Sequence, residues 1–124
     1  MTNTLNPTAL AEQYLAIWNE TDAERRGAAL EATWAPDGTF VDPSFEAAGY
    51  EELGAMIATA QQMFPGLRFQ PTGTVDAHHD RIRWTWELAA EGQPAVAGGT
   101  DIVTVGPDGR IRSVIGFLDF APAH

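Results

Sequence analysis

A long β-hairpin near the end of the chain places the strongest constraint on the fold. Residues 95–120 read AVAGGTDIVTVGPDGRIRSVIGFLDF, two β-rich runs on either side of GPDG. Proline, aspartate and glycine supply turn chemistry, so the two runs are predicted to pair as antiparallel strands. With residues 106–109 as a four-residue loop, Val103 lies opposite Arg112.

One acid of this hairpin falls on its apolar face. In the predicted register Asp101 shares a face with Val114, Gly116 and Leu118. Burial of a carboxylate without partners costs several kcal/mol, so Asp101 is either a pocket group or an acid satisfied inside the sheet. In a pocket, desolvation is expected to keep Asp101 protonated at neutral pH.

A second acid, Asp42, lies in another β-rich and otherwise apolar stretch. Asp42 is either a pocket acid that forms a pair with Asp101, or a turn acid that accepts hydrogen bonds from backbone amides around Pro43. The residues alone leave both alternatives open. A pair of carboxylates in one cavity would indicate acid–base chemistry.

The composition narrows the chemistry further. Seventeen acids against seven arginines give a formal net charge of -10, which repels phosphate backbones and anionic lipids, so no nucleic acid or membrane partner is expected. Cysteine and lysine are both absent, which excludes thiol nucleophiles, disulfides and Schiff bases. The start of the chain has no leader-like region, and no run reaches membrane-spanning length, so a cytoplasmic location is expected.

The two adjacent histidines are the remaining candidates for metal ligands. His78 and His79 fall at a predicted strand turn, and adjacent strand residues point to opposite faces. They are therefore not expected to bind one ion together. We predict no metal and no cofactor.

Helical spacing and capping residues predict three helices before the hairpin. The first spans about residues 7–19 with Asn6 as its N-cap. The second is capped by Asp22, includes Trp34 and ends at the following PDG, and the third spans about residues 50–64. Two short extended pieces, TFVDP and SFEAAG, separate the second and third helices.

The remaining strands complete an α+β fold. LRFQPTGTVDA is a strand whose proline and glycine predict a bulge, and DRIRWTWEL alternates cleanly between two faces. Three helices followed by four strands predict one strongly curved antiparallel sheet. Residues 1–124 are predicted to form a single domain.

Large apolar side chains either line a cavity for a flat apolar ligand or fill a core. The predicted lining residues are Trp18, Trp34, Phe40, Met56, Phe64, Trp84, Trp86, Val103 and Leu118. On the opposite face of the sheet, the predicted register leaves an apolar row that favours a homodimer. That row comprises Ile102, Ile111, Ile115 and Phe117.

Three segments taken in order, YLAIWNETD, WAPDGTFVDP and GGTDIVTVGPDGRI, resemble the nuclear transport factor 2-like superfamily, whose fold is also called cystatin-like. The resemblance covers essentially the whole chain and implies a cone-shaped, curved antiparallel sheet wrapped around three N-terminal helices. The superfamily includes ketosteroid isomerase, SnoaL-type polyketide cyclases, scytalone dehydratase and limonene epoxide hydrolase, together with non-catalytic binding proteins. The resemblance also implies dimers.

Among these members, ketosteroid isomerase gives the closest positional match. The resemblance implies that Tyr14 and a protonated Asp101 donate hydrogen bonds to an oxyanion, while Asp42 moves the proton. Ile57 stands where that family has a supporting tyrosine, and Gly99 stands where the epoxide hydrolases have an arginine. The expected function is a cofactor-free isomerase or cyclase that acts next to a carbonyl of an apolar, cyclic, steroid- or polyketide-like substrate. The alternative is a non-catalytic ligand-binding or assembly module.

Overall fold

The computed structural model describes residues 6–121. The elements in chain order are α1 (Pro7–Asn19), α2 (Ala23–Thr33), β1 (Trp34–Val41), β2 (Glu46–Ala48), α3 (Gly49–Met63), β3 (Arg68–His78), β4 (Arg81–Ala89), β5 (Ala97–Val105) and β6 (Ile111–Phe120). The strands form one curved, unclosed sheet in the order β2-β1-β6-β5-β4-β3. One continuous apolar core joins the helices to this sheet, so the predicted α+β fold is confirmed.

The first two helices begin at the predicted caps. The side chain of Asn6 accepts a hydrogen bond from the backbone N–H of Ala9 at 3.1 Å, and Pro7 occupies the first helical turn. The side chain of Asp22 accepts from the backbone N–H of Arg25 at 3.2 Å. These bonds satisfy amides that have no partner within the helix, which explains why both helices begin there.

The second helix ends earlier than predicted. Trp34 is the first residue of β1 and is buried, and the PDG that was interpreted as a helix stop lies inside this strand. The register of β1 against β6 shifts between Trp34 and Thr39, and this irregularity accommodates the proline. A Cβ at Gly38 would lie 2.6 Å from the Trp34 ring, so the irregular strand needs glycine there.

The sheet is mixed, whereas the sequence predicted antiparallel pairing throughout. β1 runs parallel to β6, and the other neighbouring strands are antiparallel. The two extended pieces between α2 and α3 thus belong to the main sheet. This pairing places Val41 beside Ile115, so the chain leaves β1 next to the middle of β6.

The hairpin of β5 and β6 is offset by two residues from the predicted register. Val103 lies opposite Val114 instead of Arg112, because the loop extends to Arg110 and the register shifts again between Thr104 and Val105. An offset of two preserves which face each residue occupies, so the predicted inward position of Asp101 is confirmed. The extra shift reverses the direction of the Ile111 side chain. Ile111 was predicted to face outward and is instead fully buried.

Within residues 6–121, no helix has the length and apolar character needed to cross a bilayer. The cytoplasmic location and the single-domain boundaries stay predictions.

Candidate active site

Four residues form a row across the middle of the sheet. Trp84 on β4 lies opposite Asp101 on β5, and Asp101 lies opposite Gly116 on β6. Because Val41 and Ile115 are partners, the next residue, Asp42, lies beside Gly116. We call Asp42, Gly116, Asp101 and Trp84 the cross-strand row. The row brings together two acids that are far apart in the sequence.

Gly116 leaves a gap between the two acids. A Cβ at this position would lie 3.0 Å from Oδ1 of Asp101 and 3.2 Å from Cβ of Asp42. These two atoms are therefore no farther apart than about 6 Å, the combined length of the two distances. The absence of a side chain at Gly116 therefore allows the two acids to lie close together on the wall of one cavity.

Asp101 is almost completely buried, and its carboxyl accepts a hydrogen bond from Nε1 of Trp84 at 3.0 Å. Burial raises the pKa of Asp101 from 3.8 to about 7, and the charge of Asp42 raises it further, while the indoles of Trp84 and Trp86 oppose the shift. Burial thus favours the protonated carboxyl, which is the direction that the sequence predicted. A carboxyl with a pKa near the working pH is suited to proton transfer.

Asp42 has two differently placed carboxylate oxygens. Its Oδ1 accepts backbone N–H bonds from Ser44 at 2.8 Å and Phe45 at 2.7 Å, as predicted for a turn acid. Within residues 6–121, no hydrogen bond to Oδ2 is present, and the side chain forms part of the cavity wall. Asp42 is therefore both a turn acid and a residue of the cavity wall. Its Oδ1 holds the turn, and its Oδ2 accepts no hydrogen bond from the described residues.

Tyr14 contributes a phenol from α1. It is buried, and its ring centroid lies 5.2 Å from that of Trp84. Burial raises the pKa of Tyr14 well above its ordinary value; the nearby charge of Asp101 adds to this effect, whereas an interaction with Trp18 opposes it. The phenol therefore stays neutral across the physiological range and can donate a hydrogen bond.

Tyr14, Asp42 and Asp101 all line one cavity of about 90 Å³. The predicted lining residues that lie on its wall are Trp18, Phe40, Phe64, Trp86 and Leu118. Four others were placed wrongly, because they are buried in the core behind the wall: Trp34, Met56, Trp84 and Val103. Residues on the wall that the sequence did not identify include Leu15, Phe45, Ala60, Met63, Phe69 and Phe117.

Phe69 is the most informative of the residues that were missed. Its ring centroid lies 5.3 Å from both Trp18 and Trp86, so it joins the aromatic walls contributed by α1 and β4. The only sequence signal was its place in β3, where alternation is interrupted by the bulge near Gly73. Strand alternation therefore could not place Phe69 on the cavity wall.

Glycine at position 99 shapes the same wall. A Cβ at Gly99 would lie 2.6 Å from the ring of Trp86 and 2.5 Å from the carbonyl oxygen of Phe117. The indole of Trp86 therefore lies directly against the backbone of β5, and an arginine of the epoxide hydrolase type has no room there. Ile57, at the position of the isomerase tyrosine, is buried in the core and supplies no donor.

The two histidines do not point in opposite directions, contrary to the prediction. His79 has a φ of 53°, and this left-handed turn brings its Nδ1 to 3.1 Å from Nδ1 of His78. Across the described residues, no group of three or more histidine and carboxylate side chains is placed to hold a metal ion.

Comparison with known proteins identifies the family. The family model of the SnoaL-like domain matches residues 11–114. A candidate isomerase of the SnoaL-like family from Agrobacterium tumefaciens is 43% identical, with a TM-score of 0.87 over 91% of this chain and 97% of that chain. The sequence has no match among curated proteins.

More distant structures share the fold alone. A candidate polyketide cyclase from Sinorhizobium meliloti is 19% identical, with a TM-score of 0.68 over 87% of this chain and 93% of that chain. A nuclear transport factor 2-like protein of unknown function from Exiguobacterium is 21% identical, with a TM-score of 0.69 over 89% of this chain and 98% of that chain. The match of the family model over most of the chain establishes that this protein belongs to the SnoaL-like family.

Proposed function

We propose that the protein is a small-molecule enzyme of the isomerase or cyclase type, which moves a proton next to a carbonyl of an apolar cyclic substrate. One observation carries the proposal: Tyr14, Asp42 and Asp101 converge on one cavity whose other walls are mostly apolar. Convergent polar groups in an apolar cavity, one with a strongly shifted pKa, are typical of an active site.

The three groups have separate roles in this reaction. Oδ2 of Asp42 accepts a proton from the carbon next to the carbonyl, and the carbonyl oxygen becomes an enolate. The phenol of Tyr14 and the neutral carboxyl of Asp101 donate hydrogen bonds to that oxygen. Return of the proton to another carbon gives an isomer. Attack of the enolate on a second carbonyl instead closes a ring, and Asp42 then returns the proton to the new alkoxide oxygen. A positioned base contributes about 10² to 10⁴ in rate, and each oxyanion donor a comparable factor.

The cavity favours a compact substrate. Its volume of about 90 Å³ is well below the roughly 300 to 1,000 Å³ typical of sites for drug-sized ligands. Four aromatic rings form one continuous part of its wall, because Trp18 lies 5.5 Å from Phe40 and 5.3 Å from Phe69, which in turn lies 5.3 Å from Trp86. A one-ring ketone fits this space better than a four-ring steroid or a large polyketide.

Exchange of carbon-bound protons in D₂O tests the proposal directly. Cyclohexanone, 1-tetralone and a 5-ene-3-keto steroid should be incubated with the protein and followed by proton NMR. We expect the one-ring ketone to exchange fastest, Asp42→Asn to abolish the exchange, and the rate to fall above pH 7 as Asp101 ionises. Exchange no faster than with Asp42→Asn for all three ketones would refute the proposal.

A non-catalytic binding role is the second candidate, and one contact favours it. The turn uses Oδ1 of Asp42 to hold Ser44 and Phe45, a role that needs no substrate. A bound ketone that raises the melting temperature without any exchange would support this alternative.

We also propose a homodimer formed through the outer face of the sheet. Val41, Ile115 and Ile102 form an apolar row across β1, β6 and β5, and Val41 and Ile115 are exposed. Phe117 was predicted to belong to this row only, but it also contributes to the rim of the cavity. A second copy of the chain would remove this surface from water.

A further inference from the structure

The two oxygens of the Asp101 carboxyl have different surroundings. Oδ2 accepts the indole N–H of Trp84, and both side chains are almost completely buried. An indole N–H can only donate, so Oδ2 must be the hydrogen-bond acceptor. In the neutral acid the carbonyl oxygen is the better acceptor, and the hydroxyl proton is therefore assigned to Oδ1.

Oδ1 is the oxygen next to the gap. It lies 3.0 Å from the point where a side chain of Gly116 would begin, and Asp42 adjoins the same point from the other side. The titratable groups that act on Asp101 are Asp42, at the end of β1, and Tyr14, on α1. Because Asp42, Asp101 and Gly116 all line the cavity, a proton on Oδ1 lies on the cavity side of the carboxyl.

We propose that Trp84 is a positioning residue, whose bond to Oδ2 turns the proton-bearing Oδ1 of Asp101 toward the gap at Gly116. This inference rests on the proposed function for the identity of the proton acceptor. The orientation of the carboxyl itself is independent of any substrate.

Core packing alone does not account for this bond. Trp34 is buried to a similar extent and packs on the same Tyr14, with ring centroids 6.1 Å apart, yet its indole donates to neither acid. Trp84 instead makes its bond to the acid directly opposite on the neighbouring strand. No arginine or histidine contributes to the shift in the pKa of Asp101, so the indoles are what stabilises its ionised form.

Replacement of one atom tests the proposal. In Trp84→3-benzothienylalanine, sulfur replaces the indole N–H with little change in ring size, so the fold should be kept. The carboxyl pKa of Asp101 is then measured by ¹³C NMR without substrate, with Asp101→Asn to assign the signal. We expect the pKa to rise by about one unit, because the ionised form loses a donor.

Two matched replacements serve as controls. Trp34→3-benzothienylalanine should leave the pKa unchanged, and Trp86→3-benzothienylalanine should raise it by less than the Trp84 replacement does. An unchanged pKa in the Trp84 variant, or a larger rise in the Trp86 variant, would overturn the assignment to Trp84. None of these outcomes depends on turnover, so failure of the ketone exchange experiment would leave them interpretable.

A crystal structure at atomic resolution and pH 5 provides a second measurement. Protonation lengthens the bond between Cγ and the oxygen that carries the proton, so the Cγ–Oδ1 bond of Asp101 should be the longer one. A longer Cγ–Oδ2 bond would contradict the proposed orientation.

Discussion

Asparagine at position 101 should stabilise the protein at alkaline pH. The pKa of the Asp101 carboxyl is about 7 in the folded protein against 3.8 for the ordinary group. Between these values the folded state binds more protons than the unfolded state, so the free energy of unfolding falls as pH rises. Each unit of difference is worth about 1.4 kcal/mol, which gives a penalty of about 4 kcal/mol above pH 7 as an upper estimate.

Asp101→Asn removes this penalty and keeps the main contact. The amide oxygen can accept from Nε1 of Trp84, and the amide N–H₂ can replace the acid proton that faces Gly116. The loss from an altered hydrogen bond is only about 1 kcal/mol. The stability difference between variant and parent should therefore grow by about 3 kcal/mol from pH 4.5 to pH 8.

The difference in unfolding free energy between variant and parent is measured by urea unfolding at these two pH values, with far-ultraviolet circular dichroism as the signal. Asp37→Asn is the matched control, because Asp37 is 76% exposed and its one ion pair among residues 6–121 is with Arg112 at 3.6 Å, a surface contact worth at most about 1 kcal/mol. The unfolding free energy of Asp37→Asn should differ from that of the parent by nearly the same amount at both pH values. A large loss of stability for Asp101→Asn at pH 8 would mean that Asp101 is an ionised structural acid, and the reasoning on desolvation would be wrong.

Three further predictions concern the gap, the base and the outer face. Asp42→Asn should change the unfolding free energy by less than about 1 kcal/mol, because the amide oxygen can still accept the turn amides, while ketone exchange measured by NMR falls at least about 100-fold. Gly116→Ala would place a Cβ 3.0 Å from Oδ1 of Asp101, so cyclohexanone binding measured by calorimetry should weaken more than tenfold, whereas Gly27→Ala, with open space around it, should have no effect. Ile115→Glu should convert a dimer to a monomer in light scattering without lowering exchange in the cavity; a parent that is already monomeric would refute the dimer.

Local features of the sequence were sufficient to predict most elements and the burial of Asp101. Caps such as Asn6 and Asp22 act within one helical turn, so they predicted the helix starts correctly. The inward position of Asp101 followed from strand alternation, because an error of two residues in register leaves the face unchanged. Apolar flanks also indicated the direction of its pKa shift, since burial is the dominant cause.

The pairing of strands that are far apart in the chain could not be predicted from the sequence. The parallel contact of β1 with β6 brings Asp42 beside Gly116, and no local pattern indicates which strand lies next to which. A bulge adds one residue and reverses the side chains beyond it, which is why Ile111 was placed on the wrong face. The packing of the helices against the sheet decides which tryptophans line the cavity. Trp18 and Trp86 line it, whereas Trp34 and Trp84 are buried behind its wall. The sequence by itself determined which acids are available and that Asp101 lies on an apolar strand face, because strand alternation is local. Only the tertiary structure decided that both acids share one cavity, because that placement depends on contacts between segments far apart in the chain.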